Sequence, residues 1–258
     1  MTSALTVVFC GLLALTGYTD VIAVGAAVLI GQFLMATLPQ PADAGSVGRA
    51  ARPLVPVVAG SIVATGLMLW PETLVGASGT TAVEEASATP GFQVGLGPGV
   101  AVALLVALFM QMSRKDGREL LVPTLAYAVA TAVLAICLAV WVTVPSLSDG
   151  EAIMAAAVCG AAAASVVWWL PGPRALVGAG AVVVGGVGGG VFGSLVEDGV
   201  AVDFGVALAL TAAVMVVVGR VAAAAWSRDP RARLGFEAVL PLALAGPLVY
   251  LVGQFYVL

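Results

Sequence analysis

The densest cluster of side chains that could bind a ligand lies in the segment Arg114-Lys115-Asp116-Gly117-Arg118-Glu119. Its three cations are suited to holding a lipid phosphate at a membrane surface. The Asp116 and Glu119 carboxylates are of the ligand type that Mg²⁺ prefers, which makes them candidate catalytic acids. A charged turn that anchors two membrane helices would have the same composition, so both interpretations stay open.

A second basic cluster, Arg228-Asp229-Pro230-Arg231-Ala232-Arg233, has the same two interpretations. If the two clusters meet in space, they form one basic rim facing anionic headgroups. The candidate headgroup-binding residues are therefore Arg114, Lys115, Arg118, Arg228, Arg231 and Arg233. Glu237 is a third candidate acid. It falls in the first turn of the last predicted helix, where it can pair with Arg220, a residue placed to snorkel toward the interface.

The glycine-rich run from Gly185 to Gly193 superficially resembles a nucleotide-binding loop. It lacks the Walker GxxxxGK[ST] pattern and lies inside an apolar segment, where phosphates are excluded. Its small-xxx-small spacing instead predicts close contact between helices, so we expect this helix to be central in the bundle. A thin helix lining a substrate path is the alternative. The candidate packing residues are Gly185, Gly186, Gly189, Gly190 and Gly193.

Composition argues against several kinds of chemistry. The chain has no histidine, which removes the commonest general acid–base and metal ligand and the usual haem ligand. Its three cysteines, Cys10, Cys137 and Cys159, lie in apolar spans without a CxxC pattern. We therefore expect neither a metal nor a cofactor. The net charge of −4 and the lack of a basic tail argue against a nucleic-acid partner.

The elements that carry these residues are membrane helices. The 258-residue chain is 61% hydrophobic and only 9% charged, whereas a soluble domain has about 25% charged residues. The sequence predicts an all-α fold, a single polytopic transmembrane bundle over residues 1–258. Residues 71–97 are predicted to form an external, acidic and partly flexible loop. The nine predicted helices span about 3–17, 21–38, 54–70, 98–113, 121–142, 152–170, 175–196, 204–225 and 235–257.

Residues 3–38 allow two arrangements. They are interrupted by Gly17-Tyr18-Thr19-Asp20, and Asp20 at the centre of a membrane helix would cost about 3 kcal/mol. We therefore predict two short helices with Asp20 at their turn. One broken span, giving eight crossings in all, remains the alternative. The first helix lacks a basic leader and a cleavage site, so it is predicted to be a span and not a signal peptide.

Positive charge alternates between the gaps that separate the apolar stretches. All ten Lys and Arg residues fall in or beside every second gap, and the gaps between hold acids and no cation. The positive-inside rule therefore predicts a bacterial inner-membrane protein with a cytoplasmic N-terminus and an external C-terminus. Trp70 and Trp141 fall at predicted outer ends, in agreement with this orientation. The single Lys and the abundance of Ala, Val, Gly and Arg suggest a GC-rich, actinobacterial-like genome.

The Arg114–Arg118 loop and the closing helix with Pro241, Pro247 and Tyr250 resemble uncharacterised actinobacterial multi-pass membrane proteins, and this resemblance implies no activity. Three functions remain open. The leading one is a non-catalytic accessory or scaffold protein that contacts lipid and a membrane-protein partner or a second copy of itself. The others are a cytoplasmic-face lipid-phosphate enzyme, in phospholipid or polyprenyl-phosphate metabolism, and a passive or neutral-solute permease.

Overall fold

The computed structural model describes residues 2–37, 54–70, 91–113, 121–147, 149–195, 201–226 and 234–257. In these ranges the chain forms helices and no strand, which confirms the predicted all-α class. Within these described ranges there are nine α-helices: α1 (Thr2–Gly17), α2 (Val21–Thr37), α3 (Leu54–Leu69), α4 (Gly91–Met112), α5 (Leu121–Leu138), α6 (Gly150–Val167), α7 (Arg174–Leu195), α8 (Val202–Trp226) and α9 (Leu234–Val257).

Six of these helices, α4 to α9, contain stretches long and apolar enough to cross a bilayer, which requires about 20 residues. The helices α1, α2 and α3 are equally apolar but contain only 16 or 17 residues. Large apolar side chains such as Val8, Phe109 and Phe255 are exposed on the outer surface of the bundle. The protein is therefore a multi-pass membrane protein.

The helices pack in two groups with a shared centre. On one side α6, α7 and α8 pack against one another, and on the other α3 packs against α4 and α5. Between the groups, α1 contacts α6 and α2, while α9 contacts α8 and α5. The buried core is continuous across this centre and includes Leu13, Ile136, Ile153 and Leu242.

Residues 2–37 form two helices joined by a three-residue turn, as predicted for the stretch 3–38. The Thr19 and Asp20 amides both donate to the Thr16 carbonyl and close this turn. Gly17, at the end of α1, faces Met154 in the first turns of α6; a Cβ atom at Gly17 would lie 2.8 Å from the Met154 Sδ. Ser3, at the start of α1, lies beside the opposite end of α6. The helix α1 therefore runs the depth of α6, and α2 returns against it.

Helix α4 begins at Gly91, seven residues before its predicted start. Residues 91–97 are therefore helical, and the predicted external loop over 71–97 was wrong in this part; residues 71–90 lie outside the described ranges. The helix was predicted to begin at about residue 98, whereas Pro98 lies inside it, where a proline removes one backbone hydrogen bond. Here Gly95 and Gly99 bring α4 against the Ala64 and Gly60 carbonyls of α3. This close packing supports the turn that precedes the proline.

The chain after α5 also differs from the prediction. It continues through two 3₁₀ segments, Ala139–Val142 and Val144–Ser146, before α6. Val144 is fully buried, so the gap between the predicted helices 121–142 and 152–170 begins inside the bundle. Asp149 then takes a left-handed backbone conformation, with φ of 55°, immediately before α6. The connection after α5, which has the tighter 3₁₀ geometry, packs against α2, α3 and α9.

Candidate functional site

A cleft of about 600 Å³ opens at one end of the bundle, and we call it the Arg220 cleft. Its lining comes from five helix ends: the starts of α1, α7 and α9, the end of α6 and the last turns of α8. Polar and apolar surfaces line it together. The residues that line the cleft include Ser3, Trp168, Gly172, Arg174, Arg220 and Glu237.

The turn between α6 and α7 forms one wall of the Arg220 cleft. Pro171-Gly172-Pro173 follows α6, and proline there cannot continue the helix. The Pro173 carbonyl accepts from the Val177 amide, which starts α7 immediately. The two tryptophans at the end of α6 and Arg174 at the start of α7 therefore meet at the mouth of the cleft.

Arg220 is the buried cation of the Arg220 cleft. It is only 3% exposed, and its Nη2 donates to Thr6 Oγ1 of α1 at 2.9 Å. The Glu237 carboxylate interacts with it electrostatically. A close contact of α8 with α9 brings these residues together, since a Cβ atom on Gly219 would lie 2.8 Å from the Pro241 Cα. Arg220 was predicted to be able to snorkel toward the interface and to pair with Glu237; its side chain is buried beside α1 and lines the cleft together with Glu237.

Arg174 is the exposed cation at the mouth of the Arg220 cleft. Its guanidinium carbon lies 5.6 Å from the centre of the Trp168 ring. This distance falls within the range of a cation–π interaction, which is attractive because the face of the indole ring is negative. The indole ring therefore holds the guanidinium group in place, and this contact does not use all the N–H donors of the guanidinium group.

Of the candidate site residues with ionisable side chains, the structure describes only Glu237. It lies in the Arg220 cleft with Arg220, and the sequence had placed both at the inner rim. The other candidate acids, Asp116 and Glu119, lie outside the described residues. So do the six candidate headgroup-binding residues: Arg114, Lys115, Arg118, Arg228, Arg231 and Arg233. Their convergence on one rim stays a prediction.

The glycine run lies on the face of α7 that contacts α6 and α8. Cβ atoms on Gly185 and Gly189 would collide with the Gly160 backbone of α6 and with α8 alanines. Gly186 and Gly190 approach Leu210 and Val206 of α8, and Gly193 is buried on the same helix. These contacts are the close backbone approach that small residues permit.

The expectation that the glycine-rich helix is central was wrong. Helix α7 packs mainly against α6 and α8, and only 33% of its span is buried. The valines between the glycines, such as Val183, Val187 and Val191, are exposed on its outer face. One glycine face therefore binds α7 to the bundle, and its opposite face is left for lipid.

A polar link at mid-depth connects three helices. Gln32 of α2 donates from its Nε2 to the Ala135 carbonyl of α5 at 3.0 Å, and its Oε1 accepts from Thr65 Oγ1 of α3 at 3.4 Å. Nearby, Ser61 is buried in the wall of a shallow, apolar groove of about 260 Å³ between α2 and α3. Gln32 also lines this groove, and its amide nitrogen and oxygen both hydrogen-bond within the chain.

Trp141 is a structural residue whose role the sequence did not indicate. It was predicted to lie at the outer membrane interface, yet it is fully buried in the core. Its indole Nε1 donates to the Leu242 carbonyl of α9 at 2.8 Å. Gly246 makes room for the ring, since a Cβ atom there would lie 3.0 Å from Trp141 Nε1. The neighbouring Leu138, Ala139 and Val140 give no sequence signal that separates a buried tryptophan from an interfacial one.

The three cysteines are free thiols, and Cys10 is buried. In the part of the chain that the structure describes, no three His, Cys, Asp or Glu side chains come together as a metal site would require. Comparison with protein-family models, curated proteins and solved structures finds no match for this chain.

Proposed function

We propose that the protein is a non-catalytic accessory or scaffold protein of the bacterial cytoplasmic membrane. The alternation of positive charge between the gaps of the sequence supports a location in the bacterial cytoplasmic membrane, with the N-terminus in the cytoplasm and the C-terminus outside. In this role the protein acts by contact with a membrane-protein partner or a second copy of itself.

One observation carries the proposal: three buried polar side chains of the described residues hydrogen-bond between helices of the chain itself. Gln32 links α2 to α3 and α5, and Trp141 links the segment after α5 to α9. Thr124 donates to Gln111 Oε1 at 3.1 Å and links α5 to α4. Polar groups used in this way hold helices together and are not arranged around a reaction centre.

The packing at the centre also favours a scaffold over a solute permease. Ile136, Trp141 and Leu242 are fully buried there, and they fill the region between the two helix groups. A permease needs polar, water-accessible space at this depth.

Affinity purification in a mild detergent tests the proposal. The tagged full-length protein is solubilised, and co-purifying proteins are quantified by mass spectrometry, with size-exclusion chromatography and light scattering for the mass of the complex. We expect a stoichiometric membrane protein or a homo-oligomer. A monomer that purifies alone, at expression levels near the natural one, would contradict the accessory role.

A lipid-phosphate enzyme is the second candidate function, and one observation favours it. Glu237 lies with Arg174 and Arg220 in one cleft, so a carboxylate stands beside two cations that suit a phosphate. A turnover assay tests this second function. The purified protein is incubated with radiolabelled phospholipid or polyprenyl phosphate, with and without Mg²⁺. Product that forms with the wild type and not with Glu237→Gln would establish the enzyme and overturn the non-catalytic proposal.

A further inference from the structure

The Arg220 cleft combines a fixed, buried cation with an exposed one, and this arrangement points to a ligand. We propose that the cleft binds a phosphate group, carried by a phospholipid headgroup or present as free phosphate. The proposal uses Arg174 and Arg220 and draws on none of the candidate cations at 114–119 and 228–233, which lie outside the described residues. It also differs from the scaffold role, because it binds a small anionic group and not a partner helix.

The charges of the cleft favour an anion. Among the described lining residues, the two guanidinium groups of Arg174 and Arg220 face the single carboxylate of Glu237. This leaves one net positive charge. A phosphodiester carries one negative charge, so its entry would neutralise the cleft. Guanidinium groups also match phosphate geometrically, because two parallel N–H donors can meet two phosphate oxygens.

Both arginines are held before any ligand arrives. Thr6 fixes one end of the Arg220 guanidinium group at 2.9 Å, while Glu237 attracts it from α9. The Trp168 ring attracts the Arg174 guanidinium group by its face, at 5.6 Å from the ring centre. Side chains that are already ordered lose less entropy when they bind, so this arrangement strengthens affinity.

The surroundings of the cleft suit a phospholipid. Trp169, Leu170 and Val221 line the same cleft and are exposed. Tryptophans are enriched at the headgroup level of the bilayer, and exposed apolar side chains beside the cations would contact the glycerol and the upper acyl chain. A phosphate held between the arginines would therefore lie at its ordinary depth in the membrane.

Glu237 has a distinct role in this site. Its carboxylate attracts Arg220 and repels an incoming phosphate. Removing this charge therefore weakens the contact with Arg220 and favours the phosphate. If Glu237 is only part of a structural ion pair, Glu237→Gln weakens the local structure and reduces any binding. If the cleft binds phosphate, Glu237→Gln strengthens binding of the anion, because the repulsion is gone while Arg174 is unchanged.

Native mass spectrometry of the full-length protein in detergent tests the site. The protein is incubated with phosphatidylglycerol and, separately, with phosphatidylcholine, whose headgroup has no net charge. We expect the wild type to prefer phosphatidylglycerol. Arg174→Gln should weaken this binding about tenfold, the size expected for losing one hydrogen bond to a charged group. Glu237→Gln should strengthen it.

Two further variants make the result unambiguous. Glu151→Gln removes one carboxylate from the first turn of α6, at the end of the bundle opposite the cleft, and should leave lipid binding unchanged. Arg220→Gln should abolish the preference, but this residue is buried and its loss can also unfold the protein. Arg174 is exposed, so Arg174→Gln remains informative if Arg220→Gln does not fold.

A thermal-shift measurement with inorganic phosphate distinguishes the two sources. If phosphate stabilises the wild type but not Arg174→Gln, and the protein retains no lipid, the ligand is free phosphate. Retention of phosphatidylglycerol without an effect of phosphate would identify the lipid. The proposed site is overturned if both ligands bind the wild type, Arg174→Gln and Glu237→Gln equally well. It is also overturned if neither ligand binds any of the three proteins.

Discussion

Trp141 joins the segment after α5 to α9 through a single indole hydrogen bond. The Trp141 Nε1–H donates to the Leu242 carbonyl at 2.8 Å, and the ring is fully buried. We expect Trp141→Phe to lower the free energy of unfolding by about 1–2 kcal/mol, from the lost hydrogen bond and the small cavity. Thermal denaturation in detergent measures the change. Trp169→Phe is the control, since Trp169 is 64% exposed, and an equal loss there would contradict the structural role of Trp141.

The amide of Gln32 is the second residue with a measurable stabilising role. Gln32→Leu keeps the volume and removes both hydrogen bonds, to the Ala135 carbonyl and from Thr65 Oγ1. We expect it to destabilise the bundle by about 0.6–1.7 kcal/mol, the range measured for hydrogen bonds between membrane helices.

Thr37→Val is the matched control for Gln32→Leu. The Thr37 hydroxyl donates to the Phe33 carbonyl of its own helix at 2.8 Å, so its removal breaks no contact between helices. Steric trapping or chemical denaturation in mixed micelles gives the free energy of unfolding for both variants. Equal stability of Gln32→Leu and the wild type would show that the link does not stabilise the bundle.

At the residue scale, sequence alone predicted which side chains reach the same end of the bundle but not how they are enclosed. Arg220 and Glu237 were placed at one rim from their distance to the helix ends. Their enclosure also depends on Thr6 of α1 and on the approach of Gly219 to Pro241. The contact of Arg220 with Thr6 joins residues 214 positions apart in the chain, and helical periodicity carries no information about either contact.

At the element scale, the two faces of α7 provide a sharp comparison between neighbouring glycines. A Cβ atom on Gly189 would lie 2.6 Å from the Ala209 Cβ and from the Gly160 nitrogen, whereas one on Gly188 meets only the Ala163 Cβ at 3.9 Å. We expect Gly189→Ala to destabilise the protein by about 1–3 kcal/mol through overpacking. Thermal denaturation in detergent measures this effect.

Gly188→Ala serves as the control on the same helix. It should leave stability unchanged or raise it by up to about 1 kcal/mol, because alanine favours a helix more than glycine does. Similar losses for both variants would mean that the glycines act through helix propensity and not through contact with α6 and α8.

The helices themselves were largely predictable, since long apolar stretches separated by Pro, Gly and charged residues leave few alternatives. The start of α4 was not, because the intrinsic preference of Pro98 for a first turn is overridden by contact with α3. The position of α7 was also not predictable. Small residues indicate that a helix has a close neighbour, but they do not tell whether one face or the whole circumference is covered.

At the scale of the whole molecule, the nine crossings predicted from the sequence would place the two ends of the chain on opposite sides of the membrane. Reporter fusions at the N-terminus and after residue 257 test this arrangement in bacterial cells. We expect the N-terminal reporter to be cytoplasmic and the C-terminal reporter external, as the positive-inside rule predicts. Both reporters on the same side would mean that one of the helices does not cross.

The three short helices make the protein uneven in thickness. At 1.5 Å per residue, α1, α2 and α3 are about 24–26 Å long, whereas the hydrocarbon core of a bilayer is about 30 Å thick. They are neighbours through α2 and expose Val8, Phe33 and Ile62. Lipids must therefore shorten locally along one flank while those beside α8 remain at full height. The protein would impose a thickness gradient on the surrounding membrane, and such a gradient favours neighbours whose own spans are short.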